Sequence, residues 1–123
     1  MTSPQILRDW LRLYCAGLEH EVFLVLYLDA NHRLIEPQEL FRGTLTQTSV
    51  YPRELVKGAL ARNAAALAVA HNHPSGDPTP SPEDVRATHE VGAAGALLGI
   101  EVVDHVVVGH RGAYVSLRAR GLY

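Results

Sequence analysis

Ala65-Ala66-Leu67-Ala68-Val69-Ala70-His71-Asn72-His73-Pro74-Ser75-Gly76-Asp77-Pro78-Thr79-Pro80-Ser81-Pro82-Glu83-Asp84 is the stretch that decides the fold. Its first six residues are small and apolar, as in a short buried strand over Ala65 to Ala70. Four prolines and one glycine between His73 and Glu83 then make a stiff, ordered loop rather than a flexible linker. Pro82 begins a helix that runs to about Leu98, and its glycines at 92, 95 and 99 imply close approach of another backbone.

Outward toward the N-terminus, Pro52 opens a helix whose Leu55, Val56, Ala59 and Leu60 share one apolar face, with Asn63 as its stop. Val22 to Leu28 is a continuous apolar run, partly β-branched and aromatic, the pattern of a buried strand. Asp29-Ala30-Asn31-His32 reads as a hairpin turn. Arg33 to Phe41 is the returning strand, where Pro37 asks for a bulge or a sheet edge. A further strand is expected from Thr44 to Thr48. Ser3-Pro4 starts a first helix in which Ile6, Leu7, Trp10, Leu11, Tyr14 and Leu18 recur at helical spacing. Outward toward the C-terminus, Ile100 to Val108 and Ala113 to Leu117 are strands joined by a turn at Gly109 to Gly112. This order of elements predicts a mixed sheet with helices packed on it, an α/β sandwich.

The chain has 123 residues, enough for one domain with one hydrophobic core. Apolar residues make up 47% and charged residues 20%, the balance of an ordinary soluble domain. Lys+Arg total 11 against Asp+Glu 13, so no general basic excess exists to grip phosphates. That weakens direct nucleic-acid binding without removing a local basic face. Cys15 is the single cysteine, which rules out an internal disulfide and fits a reducing cytoplasm. No apolar run is long enough to span a bilayer, and Met1-Thr2-Ser3-Pro4 does not open a secretory signal. A cytoplasmic protein with no membrane partner is expected.

His71 and His73 stand two residues apart at a strand end, the period that sends both imidazoles to one face. The proline-rich loop can fold Asp84 back toward the same point. Two imidazoles and a carboxylate are a three-ligand set that leaves zinc a fourth position for water, the catalytic arrangement. A blander reading is available. Ser81-Pro82-Glu83-Asp84 is also a capping box, which alone explains Ser81 and Asp84, and the histidines would then be solvated loop residues.

His71-x-His73, seven residues, then Ser81-x-x-Asp84 resembles the JAMM (JAB/MPN) metalloprotease motif at every defined position. His71-Asn72-His73-Pro74-Ser75-Gly76-Asp77-Pro78, Phe41-Arg42-Gly43-Thr44, Val50-Tyr51-Pro52-Arg53-Glu54 and Asp104-His105 are closer still to the bacterial RadC family. The resemblance runs from about residue 6 to the C-terminus. It implies a three-layer, deaminase-like α/β/α sandwich over residues 1–123. It also implies zinc ligation by His71, His73 and Asp84, with Ser81 as a hydrogen-bond donor to the oxyanion or the water. The family's general base is a Glu at the start of the first core strand; Glu21 holds that place, with Glu39 as the competitor. Longer RadC proteins carry an N-terminal helical region, often helix-hairpin-helix in character, that this sequence lacks, so a short member or an excised domain is expected.

The activity implied is zinc-dependent hydrolysis of peptide or isopeptide bonds in an unidentified protein or peptide. The alternative is a DNA-associated binding module or metal-dependent nuclease, in line with the family's historical link to recombination and repair. Asp104-His105 is expected either to support a zinc ligand from behind or to be a plain buried polar pair. Asn72 should face away from the two histidines and tie down the loop. His20, His32, His89 and His110 read as surface residues, and Cys15 as a packed small hydrophobe. The consecutive letters His-Asn-His do not make an HNH nuclease, whose residues are dispersed. A zinc deaminase would need cysteine ligands that one cysteine cannot supply.

Overall fold

Val22–Leu28 is buried at all seven positions and forms β1, flanked on both sides by other strands. The computed structural model describes residues 4–15, 22–42, 51–73, 75, 77–110 and 113–123. The other strands are β2 (Leu34–Arg42), β3 (Ala66–Asn72), β4 (Glu101–Val108) and β5 (Tyr114–Ser116). They lie in the order β2-β1-β3-β4-β5. All neighbours are antiparallel except β3 and β4, which are parallel. The parallel pair needs a crossover, and helix α3 (Pro82–Leu97) supplies it. Helices α1 (Pro4–Cys15) and α2 (Tyr51–Ala61) precede β1 and β3.

Strand alternation sorts the apolar side chains into two cores. Phe23, Val25, Tyr27, Leu67 and Val69 pack with Leu55 and Ala59 of α2 and Ala87 and Val91 of α3. Leu24, Leu26, Leu28, Ala66, Ala68 and Ala70 face the other way, onto Leu11 and Trp10 of α1. The sheet is therefore covered on both faces, the three-layer α/β/α sandwich expected. This double coverage is why β1 and β3 read as unbroken apolar runs rather than alternating ones. Each fully buried Leu, Val or Phe contributes roughly 1.5–3 kcal/mol of transfer free energy.

Several local expectations are met. Asp29 Oδ1 accepts the Asn31 and Arg33 N–H groups, closing the first hairpin turn. Asn63 ends the α2 region with φ 53°, in the left-handed region that Asn tolerates. Pro37 lies in the edge strand β2 opposite Leu26, and the two irregularities of this pairing fall elsewhere. Phe41 pairs with Phe23 and Glu39 with Leu24, so Leu40 is one extra residue; Glu36 pairs with Tyr27 and Leu34 with Leu28, so Ile35 is the other. A Cβ on Gly95 would stand 2.6 Å from the Ile100 carbonyl oxygen, the close backbone approach read from the helix glycines. Gly92 instead meets the Tyr123 side chain, and Gly99 serves a turn at φ +72°. The strand expected over Thr44 to Thr48 lies outside the described residues.

Two departures shape the site. Strand β3 continues two residues past Ala70, because His71 and Asn72 still pair with β4. Strand β4 changes register once: Leu67 pairs with Val102 but Ala68 pairs with Asp104, leaving Val103 as an extra residue. Beyond that point Val69 pairs with His105, so His105 faces the α3 side that a regular ladder would have given to Asp104.

Candidate metal centre

His71 stands on the last turn of the pleat in β3, opposite Phe23, and is 1% exposed. His73 follows just beyond the strand. Its backbone N–H donates to the Val108 carbonyl at 2.9 Å, which extends the ladder and returns its ring to the His71 side. The two Nε2 atoms are 3.0 Å apart. Helix α3 brings the third group. Ser81 is the N-cap of α3, its hydroxyl oxygen accepting the Asp84 N–H at 3.1 Å, while the Ser81 N–H donates to Asp84 Oδ2 at 2.8 Å. This reciprocal capping box fixes the Asp84 carboxylate at the helix start. Asp84 Oδ1 lies 3.3 Å from His71 Nε2 and Oδ2 lies 3.5 Å from His73 Nε2. Capping and convergence are thus two uses of one local structure, and neither of the two readings of Ser81 and Asp84 displaces the other.

The donor set fits a divalent metal. Zinc bonds of 2.0–2.1 Å place tetrahedral ligand atoms about 3.3 Å apart, the range of the three separations observed. His73 Nδ1 lies 2.9 Å from the Asp77 carbonyl oxygen, and a carbonyl can only accept, so the proton sits on Nδ1. With Nδ1 so engaged, His73 turns its Nε2 toward the Asp84 carboxylate. Two imidazole nitrogens and a carboxylate that converge this closely need a cation or a proton between them. Asp77 is fastened in turn, its Oδ1 accepting from the Thr79 N–H and hydroxyl.

His71, Asp84 and His105 also lie with one ligand atom each within 4.8 Å of one another, so this buried group could itself hold a metal ion. Both ring nitrogens of His105 are engaged, however: Nε2 is 2.8 Å from His71 Nδ1 and Nδ1 is 2.5 Å from Thr88 Oγ1. His105 touches His71 from the side of the ring opposite Asp84. His73 and Asp84 thus meet His71 on its Nε2 side, and His105 meets it on its Nδ1 side. Phe23 closes the apolar side, its ring centroid 6.1 Å from that of His71 and 6.3 Å from that of His105.

Electrostatics follow from burial. For Asp84, burial alone would raise the carboxyl, but the hydrogen bond and charge of His71 and the Ser81 N–H outweigh it and hold it well below the usual carboxylate range. Burial first, and the neighbouring His71 second, push His105 down to about 3, against an opposing pull from Asp84.

Glu21 lies outside the described residues. Its neighbour Val22 donates its N–H to Asn72 Oδ1 at 2.7 Å, so Asn72 ties down the start of β1. Glu39 sits on the opposite face of the sheet from His71: it pairs with Leu24 and accepts the Tyr14 hydroxyl of α1 at 2.8 Å. Asp104 and His105 are not one polar pair. Asp104 accepts from Ser116 Oγ, the His105 N–H and the Arg118 N–H, and so fastens the chain after β5. Half-buried His32 meets Glu101, and exposed His89 meets the Leu122 carbonyl; His110 is exposed. Thr88 was not singled out in the sequence. It stands four residues after Asp84, which places both on one helix face, and that spacing was the available signal.

A family model described as the RadC-like JAB domain matches residues 1–122. The chain is similar to a UPF0758 protein of Leptothrix cholodnii, 60% identical over 120 residues, covering 98% of this chain and 54% of that protein. Similar matches are a UPF0758 protein of Dechloromonas aromatica at 53% identity, covering 98% of this chain and 54% of that protein, and one of Nitrosomonas eutropha at 54% identity, covering 99% and 54%. The chain spans about half the length of these curated relatives. Their shared name states no substrate and no reaction. Among the described residues no helix is long and apolar enough to cross a membrane.

Proposed function

This chain belongs to the RadC-like JAB domain family, and from that membership and the convergence of three side chains we propose that it is a zinc-dependent hydrolase of peptide or isopeptide bonds. One observation carries the reading: His71 Nε2, His73 Nε2 and the Asp84 carboxylate approach one another at 3.0, 3.3 and 3.5 Å. These residues would hold the metal, which when bound supplies Lewis acidity and makes water acidic enough to attack near neutral pH. His71 is held in the strand ladder and His73 is anchored through Asp77, so little reorganisation is needed on binding. Ser81 uses an oxygen lone pair to cap α3, which leaves its hydroxyl proton free to donate to a developing oxyanion. Glu21 is assigned as general base. In the sequence it stands directly before Val22, the first residue of β1, and Glu39 is on the far side of the sheet.

The test is metal analysis and turnover on the same preparations. Protein purified without chelator should carry about one equivalent of zinc, and Asp84→Asn should carry much less. Less than about half an equivalent in the parent, with no uptake on reconstitution, would overturn the three-ligand site. Glu21→Gln should keep its zinc and lose chelator-sensitive cleavage of a peptide and isopeptide panel. Retained cleavage would remove Glu21 from the base role.

A further inference from the structure

The geometry points to Thr88 and His105 as positioning residues that fix the tautomer of His71, holding its proton on Nδ1 so that Nε2 faces the metal. This deepens, and rests on, the metal-site reading above. The argument is a count of protons. Thr88 Oγ1 lies 2.7 Å from the Asp84 backbone carbonyl and 2.5 Å from His105 Nδ1. A hydroxyl has one proton, and two oxygens 2.7 Å apart with none between them repel. The proton therefore goes to the Asp84 carbonyl, and Thr88 must accept from His105 Nδ1–H. His105 is 2% exposed and packed against a second imidazole, an environment that keeps it neutral. With its one proton on Nδ1, its Nε2 is an acceptor. His71 Nδ1, 2.8 Å away, then has to donate. The order runs from His71 Nδ1–H to His105 Nε2, from His105 Nδ1–H to Thr88 Oγ1, and from the Thr88 hydroxyl to the Asp84 carbonyl.

Two consequences follow from this order. The hydrogen-bond chain begins at one proposed ligand and ends on the backbone of another, so the orientations of His71 and Asp84 are set together. It also depends on the extra residue at Val103, because only beyond that register shift does His105 face α3. Both histidines of the site are then held alike, His71 through His105 and His73 through the Asp77 carbonyl.

Long-range proton–nitrogen correlation spectra of imidazole-labelled full-length chain, recorded without metal and with one equivalent of zinc, provide the test. The His71 Nδ1–H should be present and protected from exchange in both states. An Nε2–H tautomer with Nδ1 unprotonated in the metal-free chain would overturn the inference. Zinc affinity, measured by chelator competition, should fall about 10- to 100-fold in Thr88→Val and in His105→Phe. Thr88→Ser, which keeps the hydroxyl, should restore it, as a purely structural loss of packing would not. Parental affinity in Thr88→Val would also overturn it. If His105→Phe does not fold, the Thr88 pair and the spectra still decide the matter. If the parent takes up no zinc, the hydrolase reading fails, while the metal-free spectrum still reports the tautomer.

Discussion

Replacing Ser81 separates two roles that one oxygen combines. The hydroxyl accepts the Asp84 N–H at 3.1 Å and caps α3. Removing a Ser cap in favour of Ala costs about 1 kcal/mol, whereas Gly at the same position costs only a few tenths. A chain of 123 residues has an unfolding entropy of about 0.26 kcal/mol/K at roughly 2.1 cal/mol/K per residue. Ser81→Ala should therefore lower Tm by about 4 °C and Ser81→Gly by about 1 °C. Zinc uptake should survive in both, because the Ser81 contact to Asp84 Oδ2 comes from the backbone N–H. Turnover depends on the hydroxyl proton instead, which both variants lack, so both should fall about a hundred- to a thousandfold. Calorimetry, zinc titration and cleavage of the best peptide or isopeptide substrate read the three quantities independently. A Ser81→Gly variant with nearly parental turnover would refute the oxyanion role and leave Ser81 a cap alone.

Zinc at a hundredfold excess over its Kd should stabilise the chain by about 2.7 kcal/mol, near 10 °C in Tm, and chelator should reverse it; equal melting with and without zinc would contradict the site. The folded pKa of His105 lies below its unfolded value, so the unfolded chain takes the extra proton, and the stability contribution is full above about 6.5 and declines as pH falls toward 3. Metal-free protein should accordingly lose about 2 kcal/mol between pH 7 and pH 5 from this group, and an unchanged urea midpoint across that interval would count against it. Gly95→Ala should destabilise by about 1–3 kcal/mol despite the better helix propensity of Ala, since its Cβ would stand 2.6 Å from the Ile100 carbonyl oxygen. A raised denaturation midpoint would show that this backbone can yield.

Much of the architecture is legible in the letters because it depends on local patterns. The β1 boundaries follow from seven consecutive apolar residues. The start of α3 follows from Ser81-Pro82, and the end of α2 from Asn63. The separation of His71 and His73 follows from the strand period. What the letters hide is relational. Glu39 lies within a strand and Glu21 directly before one, and only the pairing of Glu39 with Leu24 shows that Glu39 faces α1. Asp104-His105 reads as one polar unit, and the ladder splits it into a fastener for the chain after β5 and a partner for His71. Asn72 reads as a loop anchor, and nothing in the letters shows that it also accepts the N–H of Val22, a residue far away in the sequence. Thr88 carries no motif, and its part depends on where β4 lies against α3.

The skipped residue at Val103 behaves like a dislocation in a crystal: two ordered regions meet out of phase, and each keeps its own count. On one side, Val102 and Ile100 keep the count of the core shared with α2 and α3. On the other, His105 keeps the count of the imidazole cluster. Changes to the core end of β4 can thus be absorbed at the fault without rotating His105, which lets the packing of this strand drift while its chemistry stays aimed.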